Sequence, residues 1–159
     1  MKIKLKDLIL SDISFNKTNI ESGTIVNLKY KNESLEFQTP KLIIENLIKE
    51  NDHEYLILKI LPTKACMDFC SKISQIENFF KETLKNDIKT VFSEDLFTVK
   101  IPFKYSKPII KVYNETGLFN YYKLSKDTTV ICLLGLDKIW INQYNEPNYN
   151  LIVKEIMVI

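Results

Sequence analysis

Six lysines and seven aromatic residues fall between Leu96 and Lys126, against a single acid, Glu115. That stretch carries +5 while the whole chain carries +2, so everything else sums to −3. Ammonium groups attract phosphate whatever the base, and exposed rings offer bases a stacking surface worth about 1–3 kcal/mol each. The combination points to binding of single-stranded nucleic acid. The competing reading is structural, because lysines on the open side of an edge strand also guard a sheet against aggregation. Phe97 and Phe103 share the apolar side of an alternating strand and read as core. Tyr105, Tyr121 and Tyr122 each neighbour polar or basic residues and are the stacking candidates, with Lys100, Lys104, Lys107 and Lys111 as phosphate contacts.

Further candidates lie outside this window. Lys29 and Lys31 belong to an alternating strand, and Lys138 stands two residues from the sole tryptophan in Lys138-Ile-Trp-Ile-Asn142. Two readings of Trp140 stand. If the isoleucines face the core, the indole lies outward on a basic strand; otherwise it is buried beneath a helix. All 22 basic residues are lysine. An A·T-rich coding genome would favour that bias, but it has a physical consequence all the same. Arginine is the usual bidentate reader of guanine edges, whereas lysine acts as a mobile point charge, so sequence-specific duplex recognition is disfavoured.

Catalytic constellations are scarce. His53 is flanked by Asp52 and Glu54 with no serine or cysteine nearby, which reads as a solvated loop residue. There is no glycine-rich phosphate loop and no Cys-x-x-C. Cys66 and Cys70 are four residues apart, a spacing that could bring two thiols to one metal; with Cys132 and His53 as the other donors, buried reduced thiols are the simpler reading. No metal, no cofactor and no enzymatic activity are expected. The longest apolar stretch, Val130 to Leu136, is far shorter than the ~20 residues that cross a bilayer. The N-terminus lacks the apolar run of a signal peptide, so the chain is expected to be soluble and intracellular.

The elements that must position these residues are mostly strands. Residues 2–5 and 8–14 read as short strands. Thr24 to Lys31, with Val26, Leu28 and Tyr30 on one face, is expected to form a hairpin with Ser34 to Gln38. Pro40 should end that strand and Leu42 to Ile44 resume it. A polar turn at Asn51 to His53 leads into a strand over Tyr55 to Leu61. Thr63 caps a helix over 64–85, whose stripe of Ala65, Phe69, Ile73, Ile76, Phe80 and Leu84 packs on a sheet or offers a partner groove. A second short helix is expected over 86–93. Strands then follow at Phe97 to Phe103, Ile109 to Tyr113, Thr128 to Leu134, Lys138 to Asn142 and Tyr149 to Val158.

Three stretches carry a resemblance. They are Gly23-Thr-Ile-Val-Asn-Leu-Lys-Tyr-Lys-Asn-Glu-Ser-Leu-Glu-Phe-Gln-Thr-Pro40, Phe97-Thr-Val-Lys-Ile-Pro-Phe103 with Ile110-Lys-Val-Tyr-Asn-Glu-Thr-Gly117, and Asp127 to Asn142 with its Leu-x-x-Ile-Trp core. In this order, over about half the chain, they resemble the OB-fold single-stranded DNA-binding proteins of nucleocytoplasmic large DNA viruses, which are related to phage replisome single-strand binders. Where those viral sequences carry a Gly-Lys-Phe-Gly-like turn and a second tryptophan, Tyr144-Asn-Glu-Pro-Asn-Tyr149 stands here. The phage proteins end in an acidic tail; this chain has Met157-Val-Ile159, so recruitment through such a tail is not expected.

The reading is therefore a mainly β protein, one domain over 1–159. It is a small OB-like barrel with one inserted helix at about 63–86. The resemblance implies sequence-independent binding of single-stranded DNA, with RNA an alternative ligand, in viral replication, recombination or repair. Replication proteins and a second copy of the chain are the other expected partners, and no membrane is. The expected location is the host cytoplasm, in a viral factory, or the nucleus, with packaging in the virion a further option. The alternative is a non-catalytic interaction or virion structural module on the same barrel.

Overall fold

The structure is a computed structural model that describes residues 2–50 and 52–159. Two tight turns, Leu5–Asp7 and Leu10–Asp12, precede strands β1 (Ile13–Ile20), β2 (Gly23–Tyr30), β3 (Leu35–Gln38), β4 (Leu42–Glu50) and β5 (His53–Lys59). Helix α1 (Lys64–Leu84) follows, then β6 (Leu96–Ile101), β7 (Lys111–Asn114), β8 (Thr129–Leu136), β9 (Lys138–Asn142), β10 (Pro147–Tyr149) and β11 (Ile152–Val158). Strand makes up 51% of the chain, so the protein is mainly β, with one helix inserted.

Five strands close on themselves. β8 pairs with β4, β4 with β5, β5 with β6, β6 with β11, and β11 returns to β8. The β6–β11 contact is parallel and the others are antiparallel. Numbered along the barrel, the order is first-second-third-fifth-fourth, the closure expected of a small OB-like barrel. Closure leaves the barrel without free edges. Alternation fills it: Leu56, Leu58, Phe97, Val99, Ile101, Val130, Cys132, Leu134, Val153 and Ile156 are all buried.

A second, four-stranded sheet in the order β10-β9-β2-β1 stands beside the barrel. Its inner side carries Val26, Leu28, Tyr30, Ile139 and Tyr149, all buried. Helix α1 joins the two bodies. Its Phe69 ring lies 6.4 Å from Phe37 and 5.7 Å from Phe97 of the barrel, while Phe80 lies 6.0 Å from Phe15 and 5.8 Å from Tyr149 of the sheet. Thr63 caps the helix as expected, its hydroxyl accepting from the Cys66 amide at 3.2 Å. Lys85, left-handed at φ 57°, ends it. Of the apolar stripe, Phe69, Ile73, Ile76 and Phe80 are buried and Leu84 half-buried, but Ala65 is exposed.

Several expectations are corrected. Thr24 to Lys31 does not form a hairpin with Ser34 to Gln38. Both edges of β2 are taken by β1 and β9, and only a single bridge joins Tyr30 to Glu33. β3 runs instead along β8, where Leu35 and Phe37 enter the core. No helix forms over 86–93. The Glu77 carboxylate captures the Thr90 hydroxyl and the Val91 amide, and the chain then enters a short extended segment, Phe92–Ser93, against β6. Residues 8–14 are mostly tight turns, because Leu5, Leu8 and Ile13 bury at spacings that suit turns rather than alternation. Ile109 and Ile110 precede β7, and Tyr149 to Val158 divides between the two sheets. The turn at Asn51 to His53 lies partly outside the described residues.

Candidate nucleic-acid interface

Strand alternation decides which candidates reach solvent. On β6, Phe97, Val99 and Ile101 fill the barrel, so Thr98 and Lys100 point away from it. Their ladder partners on β5 are Ile57 and Tyr55, both half-buried. On β9, Ile139 is buried and Trp140 half-buried, with Lys138 exposed. Trp140 pairs with Ile25 on one side and Asn148 on the other. The indole is therefore on the outward side with Lys138, not beneath the helix.

These outward residues meet. Lys100, Lys138, Trp140, Asn148, Asn150 and Ile152 line a surface cleft of about 270 Å³. Through Asn148, Tyr149 and Asn150 it adjoins a larger groove of about 500 Å³ over the barrel's outer face, lined by Tyr55, Ile57, Thr98, Lys89 and Phe92 among others. On the far side, Lys138 and Asp137 are shared with a third depression bounded by Asn16, Asn27 and Lys29. Across the cleft and the barrel groove, Asp137 and Glu50 stand against the three lysines 89, 100 and 138, while Lys29 lies beyond them in the third depression. The surface can attract phosphate and offer an indole and a phenol to bases.

Two further candidates cap a separate projection. Phe103–Lys104 and Lys107–Pro108 pair around a turn in which Tyr105 and Ser106 are both left-handed, at φ 52° and 63°. This is the geometry of a two-residue hairpin turn, held here without glycine. Tyr105 is 87% exposed at the tip, and the Lys104 ammonium lies 5.4 Å from its ring centre. Lys104 is four residues from Lys100, so the projection rises within ~14 Å of the groove.

The rest of the basic window is dispersed. Tyr121, expected to stack, is only 6% exposed. Its hydroxyl donates to Glu54 at 3.2 Å, and its ring lies 6.2 Å from Phe103 and 5.2 Å from Tyr122. Burial, and then the facing Glu54 carboxylate, push its phenol well above the ordinary range. Tyr122, 65% exposed, is the ring of that pair that meets solvent. Lys111 is exposed beside its ladder partner Glu155 and lies 5.1 Å from the Tyr113 ring. Lys126 pairs with Glu45 at 3.5 Å, and Lys31 faces Asp12 at 4.0 Å. Lys29 and Lys107 are exposed.

Tyr55, Phe92, Lys89 and the asparagines 148 and 150 are groove residues that sequence reasoning missed. The signal available for Tyr55 was its alternation with Leu56 and Leu58; the register that sets it opposite Lys100 belongs to the structure. Elsewhere, Cys66 and Cys132 are buried and Cys70 half-buried, all as free thiols. Burial pushes the Cys132 thiol up to about 12. His53 is exposed at the start of β5.

No family model matches this sequence, and no curated protein does. Among solved structures, the chain is similar to the crystal structure of gp2.5, a single-stranded DNA-binding protein encoded by bacteriophage T7. The TM-score is 0.57 at 11% identity, over 79% of this chain and 86% of that one. At that identity the likeness is one of fold.

Proposed function

We propose that the protein binds single-stranded nucleic acid without sequence preference, DNA first, and acts as a binding protein rather than an enzyme. The observation that carries the proposal is the cleft that unites Lys100, Lys138 and Trp140. It lies between the third and fifth barrel strands and is walled by the segment that joins the fourth to the fifth, and it adjoins the groove over the outer face of the second and third strands. In OB folds the face of those two strands and that connecting segment receive oligonucleotides. The fold likeness to a phage single-stranded DNA-binding protein supports the same reading. Lysines neutralise phosphate, the indole stacks on whichever base is presented, and no arginine fork is there to read guanine edges. A role in viral replication, recombination or repair, alongside replication proteins inside an infected cell, extends the proposal and rests on the sequence motifs.

Fluorescence anisotropy with oligo-dT, duplex DNA and RNA at two salt concentrations tests it. Micromolar or tighter binding of oligo-dT that weakens steeply with salt is the expected result; no binding at ~50 mM salt overturns the proposal. A second reading, an interaction module on the same barrel, draws support from apolar side chains left in solvent, notably Leu118 at 84% and Ile109 at 54% exposure. Stable oligomers indifferent to oligo-dT would favour it.

A further inference from the structure

The four strands β1, β2, β9 and β10 contain three lysines (17, 29 and 138) and no aspartate or glutamate. Twenty acids are spread over the whole chain, so a sheet without any is a notable gap. Register arranges its outward side in rows. Asn16 pairs with Asn27, and Asn27 with Lys138; in the next row Thr18 pairs with Ile25, Ile25 with Trp140, and Trp140 with Asn148. Ser14 pairs with Lys29 at one end. Neighbours within a row are ~4.8 Å apart, so the first row crosses the sheet as a short ladder of polar groups, and the second sets Ile25 and Trp140 between Thr18 and Asn148. Carboxylates flank the sheet without entering its strands: Asp12, Glu21, Glu33, Asp137 and Glu146 adjoin strand ends, and Asp137 borders the depression itself.

From this geometry we infer that the open face of the four-stranded sheet is a second subsite for single-stranded nucleic acid, continuous with the barrel groove. The inference rests on the function proposed above and extends its binding path. Continuity is physical: Lys138 and Asp137 border both the Trp140 cleft and the depression between Asn16, Asn27 and Lys29. Charge complementarity selects the occupant, since the face offers two ammonium groups, Lys29 and Lys138, and no repelling carboxylate within its rows. Asparagine amides donate and accept, so they serve phosphate oxygens and base edges of any sequence. A strand leaving the barrel past Trp140 would cross these rows, and the protein would cover more nucleotides than one barrel face.

The test compares oligo-dT of about 8 nucleotides, within the span of one barrel, with oligo-dT about three times longer. The double variant Asn27→Asp, Lys29→Glu should leave affinity for the short oligonucleotide within about twofold and weaken the long one by about tenfold or more, because only the long one engages both subsites. Its salt slope on the long oligonucleotide should fall by about 0.7, one phosphate contact. Lys100→Glu should weaken both. Circular dichroism and melting confirm folding. Should the double variant fail to fold, Asn16→Asp on the exposed edge strand tests the same face. If the sheet variant binds the long oligonucleotide as the wild type does while Lys100→Glu weakens both, the second subsite is refuted and the barrel function stands. If the wild type binds neither, the function itself falls.

Discussion

The indole of Trp140 lies against the backbone of Gly23. A methyl group at position 23 would stand 3.0 Å from Cη2 of that ring and 2.2 Å from the carbonyl oxygen of Ile141. The contact to Ile141 is closer than any side chain tolerates and is to backbone that cannot swing aside, and the one to the ring is tight enough that the indole must shift. Glycine at this position lets β2 and β9 pair while the ring spreads across the sheet beside it. Gly23→Ala should therefore cost about 1–3 kcal/mol of stability, the range of an overpacked site. Because Trp140 is the sole tryptophan, its emission reports the seat directly. A shifted emission maximum together with a lowered melting temperature is the expected pair of results; an unchanged spectrum would contradict this packing.

Trp140 itself should matter to binding more than to folding. Its ring is outward and half-buried, whereas its neighbour Ile139 is fully buried. Trp140→Ala should weaken oligo-dT binding by about 5- to 150-fold, which corresponds to the ~1–3 kcal/mol of one stacked base. Trp140→Phe should keep most of the affinity. Titration by anisotropy, with melting as the control, separates the two effects. Equal affinities for the alanine variant and wild type would remove the indole from the interface.

The lysines of the basic window should divide into two groups. Lys100 and Lys138 share a cleft, so Lys100→Ala and Lys138→Ala should each lower the salt slope of binding by about 0.7. Lys126 is already paired with Glu45, and Lys111 stands beside Glu155, so alanine at either position should change the slope little. Equal effects from all four would mean that binding follows net charge rather than this groove.

That division shows where the sequence could be read and where it could not. Alternation in Phe97 to Ile101 separated inward from outward residues, because that strand is buried on one side only; in Lys138 to Asn142 it grouped Trp140 with Lys138 and Asn142 but left open which group faces the core. The Thr63 cap and the 3.6-residue stripe located α1 for the same kind of reason: the signal is local. Pairing partners were not legible. Nothing within Thr24 to Gln38 reveals that the edges of β2 are filled by β1 and β9, the latter more than a hundred residues away. β1 escaped notice because its outer residues are polar or solvated on both sides, so it lacks apolar alternation. Tyr121 misled because its burial depends on Glu54, 67 positions earlier. A window of charge along the chain is one-dimensional, and the barrel distributes it around its circumference.

Stability should fall at high pH. Burial chiefly, and then the carboxylates Glu77 and Glu54, raise the phenols of Tyr149 and Tyr121 well above their usual value of 10.0. Burial alone raises Cys132 from 9.0 to about 12. In each case the folded state keeps a proton that the unfolded chain gives up. The stabilising contribution is thus complete below about pH 9 and declines above it, first through Cys132 and then, from about pH 10, through the tyrosines. The slope should approach ~1.4 kcal/mol per pH unit for each group that ionises only on unfolding. Urea midpoints measured from pH 7 to pH 11 check this; a midpoint constant across that range would refute it.

Glu77 ties the helix to the groove. Its carboxylate is 8% exposed and accepts three hydrogen bonds: from the Thr90 hydroxyl at 2.8 Å, the Val91 amide at 3.0 Å and the Tyr149 hydroxyl at 2.5 Å. All three donors belong to residues that line the groove over β5 and β6. Glutamine could keep much of this network, because a hydroxyl accepts as well as donates; Glu77→Leu removes every acceptor and strands the Val91 amide and the Tyr149 hydroxyl. The cost should be about 1–3 kcal/mol, and it should be localised. Hydrogen exchange at the Val91 amide should accelerate more than exchange in the barrel strands, because that amide loses the carboxylate that accepts its hydrogen bond. Oligo-dT affinity should fall with it as the wall formed by residues 89–92 loosens. Retained protection at Val91 in a folded Glu77→Leu protein would show that this carboxylate does not hold the wall in place.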